Sequence, residues 1–512
     1  MNMRDESADN GSGPVRYALS GAGGGFARTL LAQSLLIPWL RPVVLCDLDV
    51  EQVHAVCVDL GYAADDLVTC PDAESVARAA AAGRIAVTAD ATALQAADWD
   101  VLTEATGSPV HGLAMAEAAL AAGRHVAMVS KEVDSVAGPY LAREAARRGL
   151  VYTPVEGDQP ANLVGLTAWA LDIGLDVVAI GKSSEYDLVL DPEAGTVTQL
   201  DTTVPAPALA GLLALGDDVR GTLEARAAAV AALPVGATAD YCEMAVVASH
   251  TGFRPDTERL HYPVARPAEL ADVYALREHG GVLHRPGAVD VFTALRLPGE
   301  ASFAGGVFAV VRTHDPVTWE LLAGKGHVVS RDGRYAAIYL PYHLMGVEAP
   351  HTLRAAAAGR SRGGAHPGRS AVLAGRARQD LPAGTALRMG GHHHDVDGVQ
   401  AVLLRDEDTP PGTAPLYLAA GARLARPVAA GALLRLDDLA DHDAGLARAW
   451  KAGADPEPGS EPDPEPDPEP GAGSGAEQRP RAAAGTGTDR GSTGGAGSTG
   501  GAAAGDAGRG RA

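Results

Sequence analysis

Lysine is rare in this chain, so the positions where it occurs are candidates for chemistry. Arginine supplies most of the positive charge, and the only lysines are Lys131, Lys182, Lys325 and Lys451. A lysine can lose its proton at accessible pH, whereas an arginine stays charged. Because burial lowers the pKa of a lysine toward neutrality, a buried lysine can exchange a proton with a substrate. Lys131 and Lys182 each follow an apolar run and are the predicted catalytic lysines. The alternative for both is a surface or phosphate-contacting role.

Two acidic residues are candidate partners of these lysines. Glu132 directly follows Lys131, and Asp158 lies in the run GDQP that begins at Gly157. A carboxylate at such a position could orient a lysine or accept hydrogen bonds from substrate hydroxyls. A purely structural role, as a helix cap or a turn residue, is the alternative for both acids.

A glycine-rich turn near the N-terminus predicts a binding site for a dinucleotide. The turn follows an apolar run at residues 17–19 and precedes a helix-compatible segment at residues 29–36. A strand, a tight glycine turn and a helix N-terminus together receive a pyrophosphate, because backbone N–H groups can approach the phosphates. A turn with only a structural role is the alternative. The predicted cofactor contacts here are Gly21, Ala22, Gly23, Gly24, Gly25 and Phe26.

A carboxylate after the next apolar run fits the same site. Residues 43–46 are apolar, and Asp47 follows them. A carboxylate at this place accepts hydrogen bonds from the adenosine ribose hydroxyls and would repel a 2′-phosphate. We therefore predict NAD as the cofactor, with NADP as the alternative.

Strand and helix patterns alternate through the first third of the chain. Strands are predicted over residues 43–47, 85–88, 100–107, 125–130 and 151–155, and helices over residues 51–60, 75–82, 110–122 and 140–148. This alternation predicts an α/β fold with a Rossmann-type, doubly wound parallel sheet. Ligands of such sheets bind beyond the carboxyl ends of the strands. Thr106, Gly107 and Ser130 lie at such ends and are the remaining predicted cofactor contacts.

The rest of the chain predicts an α+β domain, a small module and a tail. A strand over residues 176–180 would leave Lys182 just beyond its end. The tail combines a Pro-Glu-Pro-Asp run with Gly/Ala repeats, which cannot bury a core. The predicted organisation is a disordered N-terminus (1–13), a dinucleotide-binding domain (14–156), a catalytic and oligomerisation domain (157–362), a linker with a mostly β module (363–445) and a disordered tail (446–512).

Composition excludes several classes of function. The formal net charge of −22 argues against a nucleic-acid-binding protein, which needs a basic face. The four cysteines show no C-x-x-C pairing, so neither a zinc knuckle nor a disulfide framework is predicted. The sequence shows no apolar leader and no apolar run of about 18 residues, as a membrane span would need. We expect a cytoplasmic homo-oligomer that acts on a small molecule, without nucleic-acid or membrane partners.

Three segments resemble one known family. The run GDQPANLVGLTAWALDIGLDVVAIGKSSEY (157–186) is similar to the GDQP…GK segment of homoserine-dehydrogenase-like oxidoreductases with a C-terminal SAF domain. RYAAIYLPYHLMGVE (334–348) is similar to their RPYHL region, and the PAG…L repeats after Ser370 resemble the SAF module. This family includes deoxyxylulose-phosphate reductoisomerase-like proteins and oxidoreductases of aminocyclitol antibiotic pathways, within secondary metabolism. The resemblance spans residues 14–440 and implies a Rossmann domain, a homoserine-dehydrogenase-type catalytic domain and an NAD(P)-linked reaction.

The lysine pattern departs from that family. In that family the segment reads roughly GKGTKY, whereas residues 181–186 of this chain read GKSSEY, so Glu185 stands where the family has a second lysine. Another lysine of the family falls at Ala239 of this chain. Lys131 instead resembles the lysine of homoserine dehydrogenases at the matching strand end. Two lost cations and one gained cation indicate a different substrate charge or a degraded site.

Three functions follow as hypotheses. The first is an NAD(P)-dependent oxidoreductase acting on CH–OH donors, with a small hydroxylated or phosphorylated carbonyl compound of the sugar or aminocyclitol type. The second is a deoxyxylulose-phosphate reductoisomerase-like activity, which needs a divalent metal, although the sequence shows no close carboxylate cluster in the substrate region. The third is a catalytically degenerate protein that only binds a dinucleotide or a carbohydrate.

The histidines are expected to have no catalytic role, and no metal site is predicted. His392 and His394 would share one face of a strand, as metal ligands can, but they lie far in sequence from the predicted site. We predict a solvated loop there. His111, His250 and His343 occur singly and are expected to be structural.

Overall fold

The computed structural model describes residues 13–361, 367–391 and 394–454. Its N-terminal sheet has seven strands, paired in parallel throughout. The strands are β1 (Val15–Ser20), β2 (Leu40–Cys46), β3 (Leu67–Thr69), β4 (Ile85–Thr88), β5 (Val101–Glu104), β6 (His125–Met128) and β7 (Tyr152–Pro154). Their order across the sheet is β3-β4-β2-β1-β5-β6-β7, so the direction of winding reverses between β1 and β5. The predicted doubly wound, Rossmann-like sheet is confirmed.

Helices cover both faces of this sheet. They are α1 (Gly25–Leu36), α2 (Val50–Leu60), α3 (Ala73–Ala81), α4 (Pro109–Ala121) and α5 (Lys131–Arg147). The alternation of side chains along β1 shows why two layers are needed. Tyr17 and Leu19 are buried with the apolar side chains of α1 and α2, whereas Ala18 is buried with those of α3, α4 and α5.

Helix α5 begins nine residues before the helix predicted over residues 140–148. The pair Gly138–Pro139 interrupts a helical pattern, because proline removes a backbone hydrogen bond and crowds the preceding turn. The structure nevertheless continues the helix through Pro139, since Val133, Val136 and Ala137 are buried along one side of it. Lys131 and Glu132 therefore lie in the first turn of a helix and not at the end of a strand.

The chain continues into a ten-stranded mixed sheet. Its strands are β8 (Asp176–Ser183), β9 (Leu188–Asp191), β10 (Thr196–Gln199), β11 (Thr202–Pro205), β12 (Arg254–Pro255), β13 (Val264–Ala265), β14 (Ala288–Arg296), β15 (Val307–Arg312), β16 (Val328–Val329) and β17 (Tyr335–Leu340). The main order is β11-β10-β9-β14-β8-β15-β17-β16, and β12 and β13 both pair with β14. The helices of this part are α6 (Gln159–Asp172), α7 (Pro207–Ala210), α8 (Val219–Ala229), α9 (Thr238–Thr251), α10 (Leu270–Val273), α11 (Pro316–Gly324) and α12 (Ala349–Ala357).

The position of Lys182 differs from the prediction. Strand β8 does not end at residue 180 but runs through Ser183, and Lys182 pairs with Val291 of β14 on one side and Val307 of β15 on the other. A charged residue in a central strand is unusual because burying an unpaired charge is costly. Helix α9 packs against this region and supplies the acidic partners described below.

The C-terminal segment, residues 367–454, contains short strands and two helices. They are β18 (Ala371–Ala377), β19 (Met389–Gly390), β20 (Asp395–Val396), β21 (Val399–Arg405), α13 (Leu416–Ala419) and α14 (Ala444–Gly453). Strands β18 and β21 pair in antiparallel orientation, as do β19 and β20.

Helix α14 corrects the prediction that the disordered tail begins at residue 446. Leu446 and Trp450 are buried, and the guanidinium of Arg369 lies 3.5 Å from the centre of the Trp450 ring. The Asp443 carboxylate caps the helix by accepting a hydrogen bond from the Leu446 N–H. The predicted disordered N-terminus up to residue 12 and the tail beyond residue 454 lie outside the described residues. Within the described part, no helix has the length and apolar character needed to cross a bilayer.

Candidate functional site

Two cavities adjoin at the carboxyl edge of the N-terminal sheet, where the winding reverses. The glycine-loop cavity, of about 380 Å³, is lined by Gly21, Gly24, Asp47 and Thr106, among others. The lysine cavity, of about 360 Å³, is lined by Phe26, Gly107, Ser130, Lys131, Asp158 and Lys182, among others. Ala105, the residue after β5, lines both cavities. The two cavities thus adjoin at Ala105, at the place where open α/β sheets bind their ligands.

The turn between β1 and α1 needs glycine for conformational reasons. Gly21 has a φ of +82°, and a Cβ on it would collide with the carbonyl oxygen of Ala105. Ala22 is fully buried. Gly24 is the N-cap residue of α1, and no side chain caps this helix. The N-terminus of α1 therefore offers backbone donors and a positive dipole end to an anion such as a pyrophosphate.

Asp47 lies at the end of β2 and faces this turn. Its Oδ2 accepts a hydrogen bond of 2.8 Å from the Gly23 N–H, and its Oδ1 accepts one from the Asp49 N–H. Among the described residues that line the glycine-loop cavity, none is a lysine or an arginine. This wall can receive ribose hydroxyls but offers no strong cation for a 2′-phosphate.

Lys131 and Lys182 share one acidic partner. Lys182 Nζ lies 2.6 Å from Asp240 Oδ1 and also contacts Glu243. Lys131 Nζ lies 3.0 Å from Glu243 Oε1 and 3.3 Å from Asp158 Oδ1. Glu243 therefore bridges the two ammonium groups. The side chain of Lys182 is 2% exposed and that of Lys131 is 26% exposed, so Lys131 is the lysine that reaches the open part of the cavity.

The carboxylates reverse the pKa shift predicted for the lysines. Burial alone would lower the pKa of Lys182, but Asp240 and Glu243 outweigh it and raise the pKa above its usual value. The pKa of Lys131 rises well above its usual value for the same reason, mainly through Asp158 and Glu243. Burial would raise the pKa of Glu243, yet the two lysines lower it. Both lysines are therefore cations at neutral pH, and the raised pKa makes each ammonium group a weaker acid than that of an ordinary lysine.

The two predicted acids occupy different positions in the cavity. Asp158 is the N-cap of α6, where it accepts a hydrogen bond from the Gln159 N–H, and it also pairs with Lys131. Asp158 thus both caps α6 and contacts Lys131, so the two roles predicted as alternatives occur together. Glu132 does not pair with Lys131 but lies 3.4 Å from His394 Nδ1, and burial raises the pKa of its carboxyl.

Asp240 and Glu243 are site residues that the sequence analysis missed. They lie three residues apart on α9, so both project from one side of that helix. In the sequence they could have been recognised as two acids in a helical segment whose other residues are mostly apolar or small. With Asp158 they form a convergent group of carboxylates, so the expectation of no close carboxylate cluster was wrong. The sequence does not reveal this cluster because Asp158 lies about 80 residues before Asp240 and Glu243.

Two histidines also line the lysine cavity. His343 belongs to its wall, and His394 reaches it from the C-terminal segment. His394 lies in a turn with its side chain 32% exposed, and its Nδ1 is 3.0 Å from the Tyr417 hydroxyl. His392 and His393 lie outside the described residues.

The other two histidines are placed differently. His111 lines the glycine-loop cavity. His250 is buried and lies 3.2 Å from Asp134 Oδ2 of α5.

The lining of the lysine cavity carries more acids than bases. Glu185 and Ala239, the positions where the resemblance places lysines, both belong to it. Its carboxylates are Glu132, Asp158, Glu185, Asp240 and Glu243, and its lysines are Lys131 and Lys182. An excess of carboxylates disfavours a phosphorylated ligand and suits hydroxyl or amino groups.

Residues 157–349 match the family described as oxidoreductase DRL, catalytic domain. This range contains Asp158, Lys182, Asp240 and Glu243, so most of the charged cluster lies within the part of the chain that is similar to an oxidoreductase domain. No protein with a curated description matches the chain.

Several solved structures show distant similarity. The WlbA dehydrogenase from Bordetella pertussis, in complex with NADH and UDP-GlcNAcA, is 18% identical over 36% of this chain and 48% of its own, with a TM-score of 0.25. The 1-deoxy-D-xylulose 5-phosphate reductoisomerase from Zymomonas mobilis, with NADPH, is 16% identical over 46% and 57%, with a TM-score of 0.28. A probable dehydrogenase from Thermotoga maritima is 10% identical over 68% and 90%, with a TM-score of 0.34. The chain spans about half the length of the first two proteins, and at these values they indicate nothing about its substrate.

Proposed function

We propose that this chain is an NAD-dependent oxidoreductase that transfers hydride to or from a small hydroxylated carbonyl compound. The observation that carries the proposal is the junction of the two cavities at Ala105, which would bring a dinucleotide on the glycine turn next to Lys131. The match of residues 157–349 to an oxidoreductase domain supports it. In this proposal residues 14–156 bind the dinucleotide, residues 157–362 form a homoserine-dehydrogenase-like catalytic domain, and residues 363–445 form the SAF-like module.

In this proposal, each part of the dinucleotide is bound by a different group of residues along the two cavities. The first turn of α1 would bind the pyrophosphate, Asp47 would bind the adenosine ribose, and Phe26 and Gly107 line the cavity where the nicotinamide would lie. When bound, NADH would supply a hydride to the carbonyl carbon of the substrate. Asp47 and the lack of a lysine or arginine in the described lining favour NAD over NADP.

Lys131 is the proposed proton donor. Its ammonium group would hydrogen-bond the carbonyl oxygen and pass one proton to it as the oxygen gains negative charge. Asp158 and Glu243 hold this ammonium group in place, and Lys182 with Asp240 holds Glu243. Because its pKa is raised, Lys131 is protonated at neutral pH, so its ammonium group can stabilise the negative charge that develops on the carbonyl oxygen.

The charged side chains that line the lysine cavity favour one class of substrate. Five lining carboxylates against two lysines favour a neutral polyhydroxyl or amino-bearing compound, of the sugar or aminocyclitol type, over a phosphorylated one. An amino group of such a substrate would lie near the carboxylate of Glu132 in the cavity wall.

Reductoisomerisation is the second candidate, since Asp158, Asp240 and Glu243 converge as the carboxylates of a divalent-metal site would. The ammonium groups of Lys131 and Lys182 lie between these carboxylates, where a divalent cation would have to bind. We therefore rank hydride transfer without rearrangement above it.

One experiment tests the proposal and separates the alternatives. The purified chain is titrated with NADH and NADPH and assayed against matched carbonyl compounds that carry hydroxyl, amino or phosphate groups, with Mg²⁺ or with a chelator. We expect NADH to bind more tightly, turnover of the hydroxyl or amino compounds, and no dependence on Mg²⁺. Turnover of only the phosphate compound with Mg²⁺ would favour the reductoisomerase. Nucleotide binding without any turnover across the panel would favour a degenerate binding protein.

A further inference from the structure

A second group of ligating side chains lies outside both cavities. Asp256 and His261 belong to the loop between β12 and β13, and His284 belongs to the segment before β14. We propose that these three side chains bind a divalent transition-metal ion of the zinc class. The hydride chemistry proposed above does not use this site.

The distances between the ligand atoms suit such an ion. One ligand atom from each side chain lies within 4.8 Å of the other two. Asp256 Oδ2 is 2.8 Å from His284 Nδ1 and 3.3 Å from His261 Nε2. Tetrahedral zinc with bonds of 2.0–2.1 Å to nitrogen and oxygen places its ligand atoms about 3.3 Å apart. The His261–Asp256 separation matches this value, whereas the His284–Asp256 pair, which is hydrogen-bonded at 2.8 Å, would have to open by about 0.5 Å.

Two buried atoms at this position have no hydrogen-bond partner among the described residues. The side chain of Asp256 has no exposed surface, and its Oδ1 accepts no hydrogen bond. His261 Nε2 also makes no hydrogen bond, although Asp256 Oδ2 lies 3.3 Å from it, and the His261 side chain is only 13% exposed. The half-exposed Arg285 has its Nε 4.0 Å from Asp256 Oδ1, beyond hydrogen-bond distance. Buried polar atoms normally find a partner, and a metal ion between them would supply it.

A carboxylate on the neighbouring strand orients one of the ligands. Asp290, buried in β14, contacts His261 Nδ1 through its Oδ2. Its Oδ1 accepts hydrogen bonds from the backbone N–H groups of His261 and Val291. Metal-binding histidines commonly donate their second ring N–H to such a carboxylate, which directs the other nitrogen toward the metal.

The ligand chemistry selects the kind of metal. Two imidazoles and one carboxylate favour zinc and its neighbours in the first transition row over Ca²⁺ or Mg²⁺, which prefer oxygen ligands. Three protein ligands leave at least one position for water.

The loop that supplies Asp256 and His261 has two further contacts. The Glu258 carbonyl accepts a hydrogen bond from the Leu403 N–H of the C-terminal segment. The Tyr262 hydroxyl donates to Asp240 Oδ2, the partner of Lys182. A metal here would fasten this loop to the segment before β14 and so support both contacts.

The test is metal binding by the full chain after treatment with a chelator. Zn²⁺ binding is measured by calorimetry, and Co²⁺ binding by the visible absorption of the bound ion. Because consecutive histidines at 392–394 could bind zinc themselves, all variants are made in a background in which His392 and His393 are replaced by glutamine. We expect this background protein to bind one ion per chain.

Three substitutions and one control decide the outcome. His284→Gln and Asp256→Asn should weaken binding at least tenfold, and Asp290→Asn, which changes only the orienting carboxylate, by about 10–100-fold. His327→Gln, at an exposed histidine outside the group, should leave binding unchanged. His284 is 44% exposed, so its variant should fold, and an unchanged melting temperature without metal checks this. Equal affinity in the background protein and His284→Gln, or no stoichiometric binding in the background protein, would overturn the proposal.

Discussion

The glycine-loop cavity and the lysine cavity adjoin, yet the chain builds them in different ways. The first is formed mostly by residues at or just after the ends of β1, β2, β4 and β5, and two of the predicted contacts in its lining, Gly21 and Gly24, come from one turn. The second brings together side chains from α5, α6, β8 and α9 and from the C-terminal segment. A local turn can be recognised from a few consecutive residues, whereas a site built from distant segments cannot.

The two cavities also differ in how function and stability are linked. The glycine-loop cavity offers backbone groups and the partly exposed Asp47. The lysine cavity contains buried charges, and a buried charge that loses its partner destabilises the fold. Substitutions in the first should therefore change cofactor binding, while those in the second should change stability, turnover or both.

The largest effect is expected for Lys182→Met. It removes the cation between Asp240 and Glu243, both nearly fully buried, and should lower the free energy of unfolding by about 3–5 kcal/mol. Chemical denaturation measures this. The difference in free energy of unfolding between the unmodified protein and the variant should become smaller as the pH falls. Burial raises the pKa of Asp240, and protonation of Asp240 removes the carboxylate charge that the variant leaves unpaired.

Lys325→Met is the matched control for this substitution. Lys325 is exposed, so its replacement should change the free energy of unfolding by less than about 0.5 kcal/mol. Equal stability of the Lys182→Met and Lys325→Met variants would show that the buried charge cluster does not support the fold.

Lys182 also shows what the sequence could and could not predict. It is a candidate from the sequence because lysine is so rare, but its place inside β8 was not predictable, since Gly181 and Lys182 are poor strand residues. Pairing with both β14 and β15 and the acids of α9 outweigh that local preference. The N-terminal sheet was predictable because strand and helix patterns alternate there at short range. The partners Asp240 and Glu243 were not, because only tertiary packing brings α9 to β8.

The second prediction concerns Lys131, the more exposed of the two lysines. Lys131→Met should lower kcat/KM for carbonyl reduction by about 10²-fold or more, the usual scale for a general acid. Its stability should fall less than that of Lys182→Met, because water can reach the remaining carboxylates. Steady-state kinetics on the best compound of the substrate panel measures the effect.

The pH dependence sharpens this second prediction. Because the pKa of Lys131 is raised well above its usual value, the proton is retained as the pH rises through neutrality. The reduction rate of the unmodified protein should therefore not decline from loss of this proton in the neutral range. Full turnover by Lys131→Met would remove it as the donor, and Glu132 would become the leading candidate.

The third prediction separates two glycines of the same turn. Gly21→Ala forces a Cβ against the Ala105 carbonyl at a positive φ and should cost about 1–3 kcal/mol of stability. Gly25→Ala adds a Cβ 3.8 Å from Met345 Cε, an ordinary contact, in the first turn of α1. This variant should keep or raise the melting temperature, since alanine favours a helix, but should bind NADH less tightly if phosphates approach the helix N-terminus. Unchanged NADH affinity in Gly25→Ala would place the pyrophosphate elsewhere.

The smallest effect is expected for Asp47→Ser, and it tests the cofactor preference alone. Asp47 contacts the Gly23 N–H, and serine keeps a hydrogen-bond acceptor there while removing the negative charge. The ratio of NADH to NADPH affinity should fall by about tenfold or less, since one charge is removed and no cation is gained. Fluorescence titration with both nucleotides measures the ratio, and the melting temperature should change little because Asp47 is partly exposed. Asp49→Ser is the control, because this exposed neighbour does not line the glycine-loop cavity. If the unmodified protein binds NADPH more tightly, or if Asp49→Ser shifts the ratio as much as Asp47→Ser, the carboxylate at the end of β2 does not select the cofactor.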